Sequence, residues 1–219
     1  MSATLDDTNT KYFEGTLGSD IDFTKWHVAS IWYKATAYGT DGLFLYGESY
    51  TTMRQGARVA TGGETISTMA LTTTYQNRSG TTASGTTGLW KQRAAIFKPA
   101  GSTAPQAPAL NGAVDETYGG NLNFTGITSP RWVFIGKHSD TIVANGRVAE
   151  FCIFTCDNQT DAEALLLELY TKKATAVTTT SSLVGYWPLL SNANFDTAGV
   201  NLTNNGGITF DSGDHPDLS

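Results

Sequence analysis

The sequence predicts an all-β fold, and its composition and turn chemistry are the observations behind that prediction. The 219 residues are 40% hydrophobic and 11% aromatic, which is enough to build a sizeable core. Only 16% are charged, whereas about 25% is typical of soluble domains. Thr, Ser, Gly and Asn are abundant instead, as in short strands joined by turns. We therefore expect one large β domain.

The first 130 residues contain short strands separated by turn residues. Segment 23–34 is rich in β-branched and aromatic residues, and the continuous apolar run 43–47 is typical of a strand buried on both faces. The prolines between Pro99 and Pro108 argue against an interior strand in that stretch. The strands predicted here are 23–34, 43–47, 58–60, 66–75, 89–97, 110–114 and 122–124.

The stretch 130–189 organises the chain, and we expect the other strands to pack against it. Its predicted parts are a strand at 131–136, a turn at Asn145–Gly146, a strand at 148–154, a helix, a threonine-rich connection at 175–182 and an aromatic strand at 183–189. No repeat and no change of composition divides the chain, so one domain is predicted over 12–219, after a flexible arm at 1–11.

One short α-helix is predicted near residues 160–173. Thr160 and Glu163 have the spacing of a capping box, in which both side chains bind first-turn amides. Glu168 and Lys172 are spaced to pair on the solvent side. The face expected to cover part of a sheet consists of Ala162, Leu165, Leu166, Leu169 and Lys173.

Several of these segments resemble laminin G-like domains of the concanavalin A-like lectin superfamily. The most specific part is the order of a strand, a short helix, Leu183–Leu189 and Leu202–Asp211, which is especially similar to domains encoded by bacterial viruses. The other segments that carry the resemblance are 26–34, 42–47, 89–97, 131–136 and 146–153. The resemblance implies an antiparallel two-sheet jelly-roll sandwich that binds glycans, proteins or surfaces, without specifying a ligand.

The charge balance and the hydropathy argue against two kinds of partner. A net charge of −6 disfavours binding to nucleic acid. No apolar run of membrane length occurs. Residues 1–7 do not look like a secretory signal, so the sequence favours a protein made and kept in the cytoplasm over one whose leader was removed.

The two cysteines, Cys152 and Cys156, are expected to be free thiols. On one extended strand their Cα atoms would lie about 13 Å apart, beyond the reach of a disulfide. A turn near Thr155 could bring them closer, but so short a bridge would be strained. Free thiols fit assembly in a reducing compartment.

No catalytic site is predicted. A retaining glycosidase needs two carboxyl groups about 5 Å apart on one face, and Asp20 and Asp22 have suitable spacing. The neighbouring Gly–Ser turn makes a capped turn the preferred interpretation. Asp115 and Glu116 are adjacent and would point to opposite faces of a strand. The other groups considered are the isolated Glu14, Glu48, Glu64 and Glu150, and the histidines His27, His138 and His215, which lack a recognisable Ser or Cys nucleophile.

No cofactor and no metal site are predicted, although calcium sites recur in the superfamily that the chain resembles. Aspartates in loops supply the oxygen ligands that calcium prefers. Those of this chain lack the spacing of a dedicated calcium loop, so solvated turns are the preferred interpretation. The aspartates considered are Asp41, Asp140, Asp196, Asp211 and Asp214.

The ligand-binding residues stay unknown, and we expect any binding surface in loops outside 130–189. The tryptophans Trp32, Trp90, Trp132 and Trp187 lie in apolar strand patterns, which predicts core packing. The tyrosines Tyr38, Tyr50 and Tyr118 lie in loops and are better placed to stack on sugars. Asn-x-Ser/Thr triplets, the acceptor sequence for N-glycosylation, begin at Asn77, Asn123, Asn158 and Asn201. We expect them to arise by chance, because the chain is rich in Asn and Thr.

The first functional hypothesis is a non-enzymatic virion surface protein, either a capsid decoration or a fibre-like component. It would assemble in the host cytoplasm as a homo-oligomer or on a lattice, with the viral capsid or another virion protein as partner, and its loops would bind glycans or a host surface. The alternative is a carbohydrate-binding module of a secreted or larger glycan-active protein. A glycan hydrolase or lyase is the least supported.

Overall fold

The computed structural model describes residues 2–6, 10–49, 51–72, 74–83, 86–122, 124, 127–128, 130–139, 142–190, 202–211 and 213–218. The strands are β1 (Ser2–Leu5), β2 (Tyr12–Thr16), β3 (Trp26–Ala35), β4 (Asp41–Gly47), β5 (Met53–Val59), β6 (Thr65–Leu71), β7 (Thr74–Ser79), β8 (Lys91–Phe97), β9 (Gln106–Leu110), β10 (Ala113–Val114), β11 (Trp132–Ile135), β12 (Lys137–Ser139), β13 (Ile142–Val143), β14 (Gly146–Cys156), β15 (Ser182–Trp187), β16 (Thr203–Asn205) and β17 (Thr209–Asp211). The helices are α1 (Gln159–Thr171) and a short 3₁₀ turn, Ala174–Ala176.

Most described strands belong to two antiparallel sheets. The eight-stranded sheet has the order β10-β9-β8-β3-β14-β1-β17, and β15 pairs with the far half of β14. The seven-stranded sheet has the order β16-β2-β11-β4-β5-β6-β7, and β12 and β13 pair only with each other. The predicted all-β, antiparallel two-sheet sandwich with a short helix is thus confirmed.

The inner faces of the two sheets enclose the main core. Phe44 and Tyr46 of the seven-stranded sheet and Phe151 and Trp187 of the eight-stranded sheet are fully buried there. The ring centroids of Phe44 and Phe151 lie 5.0 Å apart, so the aromatic side chains of the two sheets are in direct contact. Burial of such large apolar side chains is the main stabilising term of a sandwich.

Helix α1 covers the outer face of the eight-stranded sheet. Its apolar residues Leu165, Leu166 and Leu169 are buried in a second cluster together with Ile96 and Phe154 of that sheet. The predicted apolar face is confirmed except for Lys173, which lies beyond the end of α1. Lys172 lies 2.9 Å from Glu168, as its spacing predicted. Within the described residues, no helix is both long and apolar enough to cross a membrane.

The predicted capping box of α1 is wrong. The N-cap is Asn158, whose side-chain oxygen accepts a hydrogen bond from the backbone N–H of Asp161 at 2.9 Å. Asn158 has extended backbone angles, as an N-cap requires. The helix therefore begins before Thr160, and Thr160 lies inside its first turn.

The stretch 130–189 connects the two sheets instead of forming one hairpin. β11 pairs with β2 and β4 in the seven-stranded sheet, whereas β14 pairs with β3 in the eight-stranded sheet. The short hairpin β12–β13 lies in the segment that connects β11 of one sheet with β14 of the other. Segments 131–136 and 148–154, between which the sequence predicts a turn at Asn145–Gly146, therefore do not pair with each other. Both are apolar enough to lie in either sheet.

Three further expectations differ from the structure. The predicted strand 66–75 is two strands, β6 and β7, joined at Thr72, which has a positive φ of 52°. Pro108 lies within β9, next to the two-residue edge strand β10, so the proline stretch does enter a sheet. No strand is found among the described residues of 122–124.

Residues Ser2–Leu5 do not lie in a loose arm as the sequence indicated. They form β1, which pairs with β14 on one side and β17 on the other. Leu5 is buried in the main core. The alternation was too short to stand out in the sequence, because the first strand has only four residues.

Candidate functional site

The outer face of the seven-stranded sheet is the candidate site. Strand side chains alternate between faces, and in β11 Val133 and Ile135 point into the main core. Trp132 and Phe134 therefore point outward. This is the face of the sandwich opposite to the one that α1 covers. We call the outward-pointing side of the seven-stranded sheet the outer face.

One row of residues runs straight across the outer face. The strand registers place Trp132, Gly47, Arg54, Ala70 and Tyr75 opposite one another in that order, and we call this set the aromatic row. Trp132 and Tyr75 are separated by four strand spacings of about 4.8 Å, or about 19 Å. Gly47, Arg54 and Ala70 between the two ends are buried, whereas Tyr75 is 48% exposed and Trp132 is partly exposed. We call this buried stretch, with an aromatic ring at each end, the trough.

Arg54 lies in the floor of this trough. It is only 2% exposed, and its guanidinium donates a hydrogen bond to the Tyr75 hydroxyl. The Arg54 Cζ atom also lies 4.7 Å from the centre of the Tyr75 ring, within cation–π distance. The arginine thus holds Tyr75 in place, while 48% of the tyrosine stays exposed.

The neighbouring row supplies polar groups to the same face. It consists of Glu14, Phe134, Leu45, Gly56, Thr68 and Asn77. Glu14 accepts a hydrogen bond from the Trp132 indole nitrogen at 3.3 Å, and Thr68 donates one to Asn77 at 2.9 Å. Gly56 leaves room for Leu45, since a Cβ there would lie 2.6 Å from the Leu45 Cδ2 atom. A carboxylate and an amide therefore lie along one side of the aromatic row, near its two ends.

The hairpin β12–β13 closes one end of the outer face. It lies over Gly42, where an added Cβ would be only 2.4 Å from the backbone nitrogen of His138 and 2.5 Å from the Ile142 oxygen. Glycine is the residue that permits so close an approach. Lys137 of the hairpin lies 4.4 Å from the centre of the Tyr12 ring, another aromatic of this face.

Among the described residues of the outer face, cations outnumber anions, although the whole chain carries −6. Arg54, Arg58 and Lys137 contribute cations there, and Glu14 contributes an anion. Burial lowers the pKa of Arg58. Burial, followed by the charges of Arg58 and Arg54, lowers the pKa of His138 to about 3, so its imidazole is neutral at physiological pH.

The predicted tryptophan positions are correct for two residues and wrong for two. Trp187 is fully buried in the main core, and Trp32 is buried beneath Tyr170 of α1, with the two rings stacked at 5.7 Å. Trp90 is half-buried and donates to Asp214 at 2.8 Å. Trp132 lies on the outer face. The alternation of side chains along β11 could have identified Trp132 as outward-pointing, because the core residues Val133 and Ile135 lie on the other face of the strand.

The two loop tyrosines that the structure describes, Tyr38 and Tyr118, do not lie on the outer face. The Tyr38 hydroxyl donates to the Thr86 carbonyl at 3.0 Å, and that of Tyr118 donates to Glu163 at 3.1 Å. Tyr50 lies outside the described residues. The face instead has Tyr12 and Tyr75, which the sequence did not single out because strand residues were assigned to packing.

The carboxylates that had suitable spacing for catalysis already have partners. Asp22 accepts hydrogen bonds from both the backbone N–H and the hydroxyl of Thr24 at 3.0 and 2.6 Å, which confirms the capped turn. Asp20 pairs with Arg131. Both line a groove of about 320 Å³ at one end of the sandwich, together with Phe23 and Phe124.

The other acidic residues are dispersed. Glu116 pairs with Arg78, Glu48 accepts from Thr128, Asp115 accepts from Thr82, and Glu150 accepts from the Tyr186 hydroxyl at 2.5 Å. Glu64 lies in the turn between β5 and β6. None of the described residues form a group of three or more metal-ligating side chains.

The loop aspartates considered as calcium ligands make ion pairs or are buried. Asp211 and Asp214 both lie 2.6 Å from Arg147, and Asp214 also pairs with Lys34 at 2.8 Å. Asp41 is buried, and burial raises its pKa to about 6. Asp140 and Asp196 lie outside the described residues.

The three histidines lie in separate environments. His27 is buried and lies within hydrogen-bonding distance of Gln55 and of the Asp22 carbonyl, at 3.1 and 3.0 Å. His138 belongs to the hairpin over the outer face. His215 is half-buried, with its Nε2 atom 2.9 Å from a carboxylate oxygen of Glu150.

The structure also gives the locations of both cysteines and of the first residues of two glycosylation triplets. Cys152 and Cys156 are free thiols, as predicted, and both are buried. Burial raises the pKa of the Cys156 thiol to about 12, so it is unreactive at neutral pH. Asn77 lies on the outer face and Asn158 caps α1. Asn123 and Asn201 lie outside the described residues.

Comparison with known proteins identifies the fold. No protein-family model and no curated protein matches the chain. A heptameric SAP-like pentraxin from Limulus polyphemus is 12% identical over 93% of both chains, with a TM-score of 0.58. A Bacteroides ovatus protein, proposed to bind carbohydrate, is 14% identical with a TM-score of 0.62. The match covers 95% of this chain but only 58% of the Bacteroides chain.

A third solved structure is domain 4 of an extracellular arabinanase from Geobacillus stearothermophilus, in complex with arabinotriose. It is 16% identical, covers 76% of each chain and has a TM-score of 0.53. Identities this low establish a shared architecture. The chain therefore has the lectin-like jelly-roll fold that its sequence predicted.

Proposed function

We propose that the chain is a non-enzymatic glycan-binding domain whose binding surface is the outer face of the seven-stranded sheet. The observation that carries the proposal is the aromatic row. Exposed aromatic rings stack on the apolar faces of sugar rings, and Trp132 and Tyr75 lie about 19 Å apart on one rigid sheet. A trough of this length suits an oligosaccharide better than a single sugar.

The polar residues beside the row supply hydrogen-bonding groups for sugar hydroxyls. Glu14 and Asn77 border opposite halves of the trough, and both side chains retain lone pairs beyond the hydrogen bonds described. Glu14 lies on β2, next to one edge of the sheet, and Asn77 lies on the opposite edge strand β7, so both groups are held on strands that are hydrogen-bonded into the sheet. Ligand pockets typically combine aromatic surface with a few placed polar groups in this way.

The non-enzymatic part of the proposal is supported by the hydrogen bonds and ion pairs that the candidate catalytic carboxylates already make. Asp22 is held by Thr24 and Asp20 by Arg131, so neither is poised as a free general acid. On the outer face itself Glu14 is the acidic residue among those described, whereas a glycosidase requires two. The arabinanase domain that shares this fold was solved in complex with arabinotriose, which supports glycan binding as the common use.

We further propose a virion surface as the setting, with the chain decorating a capsid or a fibre. The two buried free thiols are consistent with assembly in a reducing cytoplasm. The alternative setting, a module of a larger glycan-active protein, is favoured by the similarity to one domain of an arabinanase. Both settings use the same binding face.

The proposed function is tested by measuring glycan binding with two aromatic variants. We expect the wild type to bind at least one class of oligosaccharide on a glycan array. Trp132→Ala and Tyr75→Ala should each reduce affinity about tenfold, since a stacked aromatic contact contributes about 0.5–1.5 kcal/mol beyond its buried area. Calorimetric titration with the best array ligand gives the affinity.

A matched control is Tyr170→Ala. Tyr170 is also an exposed tyrosine, but it lies on α1 at the opposite side of the sandwich, so its removal should leave binding unchanged. Retention of full affinity in both Trp132→Ala and Tyr75→Ala would place any binding elsewhere. Turnover of a polysaccharide, abolished by changing one carboxylate, would contradict the non-enzymatic assignment.

The setting is tested separately from the binding. Electron microscopy of the native particle or assembly that contains the chain would reveal its density on a symmetric lattice if it decorates a virion. Detection of the chain only as a segment of a soluble glycan-active protein would favour the module instead.

A further inference from the structure

Two polar side chains at the hairpin end of the outer face have no partner. Among the residues that the structure describes, Arg58 forms neither an ion pair nor a side-chain hydrogen bond, and its buried Nε atom is unsatisfied. His138 is only 5% exposed, and both of its ring nitrogens are buried without a hydrogen bond. Native proteins pair nearly all such buried groups, so two neighbouring exceptions require an explanation.

The strand register places these two side chains together. Arg58 lies directly opposite Gly42 in the β4–β5 ladder, and it points outward like Arg54 and Gly56 of the same strand. His138 lies over Gly42, because a Cβ added there would approach the His138 backbone at 2.4 Å and its Cβ at 2.8 Å. The charge of Arg58 also helps to lower the pKa of His138, which requires the two side chains to be close. Both side chains therefore occupy the same end of the trough.

Among the residues that the structure describes around these two groups, none supplies a compensating negative charge. The other described charged residues nearby are Arg54, which binds Tyr75, and Lys137, which lies over Tyr12. Glu14 is on β2, three strands from Arg58, and accepts from Trp132. A partly buried cation without a counter-charge is costly, and the cost is removed when an anion from outside binds.

We propose that Arg58 and His138 form a subsite for an anionic group of the bound glycan, either the carboxylate of a uronic acid or a sulfate ester. This inference rests on the proposed function and adds the class of sugar. The Arg58 guanidinium offers parallel N–H donors that match two oxygens of a carboxylate or sulfate. A neutral His138 imidazole offers one further N–H donor. Sugars stacked along the aromatic row would bring their anionic unit to this end.

The experiment compares three kinds of oligosaccharide on wild-type protein and variants. The ligands are an oligouronate, a sulfated oligosaccharide and a neutral oligosaccharide of similar length, titrated calorimetrically. We expect the wild type to bind an anionic ligand, with affinity falling as salt increases because the contact is electrostatic. Arg58→Gln should weaken anionic binding at least about tenfold, as expected for a hydrogen bond to a charged group. Comparison of the oligouronate with the sulfated ligand identifies the anionic group.

Two controls separate this subsite from a general charge effect and from misfolding. Lys25→Gln removes the same charge from an exposed pair with Asp157 on the eight-stranded sheet side, and it should not change binding. His138→Gln should weaken anionic binding by a smaller factor than Arg58→Gln, because it removes a neutral donor. Thermal unfolding of each variant verifies that it is folded.

The outcomes distinguish the two proposals. If the wild type binds only neutral glycans, or if Arg58→Gln binds the anionic ligand as well as the wild type while Trp132→Ala does not, the anionic subsite is overturned and the glycan-binding function stands. If the wild type binds none of the glycans tested on the array or in titration, both proposals are overturned together.

Discussion

Asp41 shows how burial can make a single side chain sensitive to pH. Only 3% of the residue is exposed, and burial raises its pKa to about 6. A hydrogen bond from Tyr33 and the backbone N–H of Gly39 act in the opposite direction but do not cancel the effect. The carboxylate therefore ionises within a range where most surface aspartates are already charged.

Replacing Asp41 with Asn removes this titration while keeping the shape of the side chain. The folded-state pKa of about 6 lies above the ordinary 3.8. Asp41 therefore contributes stability that is complete below the lower value and is lost as the pH rises through the higher one. We expect the stability of the wild type to fall relative to Asp41→Asn across this interval. Urea midpoints measured at several pH values test this, and parallel curves for the two proteins would refute it.

The residues of the candidate site illustrate what a sequence can and cannot specify. Strict alternation of Trp132, Val133, Phe134 and Ile135 indicates that two of them share a face. It does not say which face meets the core, because both pairs are apolar. Arg58 and His138 are 80 positions apart, and only the crossing of the hairpin over Gly42 brings them together.

The position of the helix start depends on one cap. Thr160 and Glu163 fit a capping box by spacing, yet Asn158 is the residue with the extended backbone and the hydrogen bond to the Asp161 amide. Asn is among the best N-cap residues. Two overlapping cap signals lie within three residues here, and spacing alone does not rank them.

Substitution of the cap distinguishes the two assignments. Asn158→Ala should lower the free energy of unfolding by about 1 kcal/mol, because an unsatisfied first-turn amide remains. Thr160→Ala, the matched control, should change it by no more than a few tenths of that amount, since Thr160 lies within the helix. Chemical denaturation of both variants provides the comparison. A larger loss of unfolding free energy for Thr160→Ala than for Asn158→Ala would favour the capping box as the correct assignment.

The architecture as a whole was largely predictable from the sequence, but the pairing of its strands was not. The abundance of turn residues and β-branched residues predicted an all-β domain, the family resemblance implied the sandwich, and four of the five residues of the apolar face of α1 were identified. The sheets to which β11 and β14 belong could not be predicted, since each is an apolar segment that fits either sheet. Pairing across long sequence separations depends on register, which single strands do not encode.

The N-terminal strand provides a test of the whole molecule. β1 lies between β14 and β17, and Leu5 is 2% exposed in the main core. Leu5→Ala should lower the free energy of unfolding by about 2–5 kcal/mol, as for other buried leucines. Removal of residues 1–6 should destabilise the protein at least as much. Unchanged denaturation midpoints for both would show that this segment behaves as an unattached arm.

The hairpin β12–β13 has a consequence for how such a domain can diversify. Its strands bond to each other and not into either large sheet, so residues 137–143 can change in sequence or length without interrupting a ladder that holds the sandwich together. Gly42 has no side chain, and this leaves room for the backbone of a hairpin to pack against β4. Related chains could therefore exchange this one segment and acquire new ligand preferences, while the strands beneath it keep their sequence.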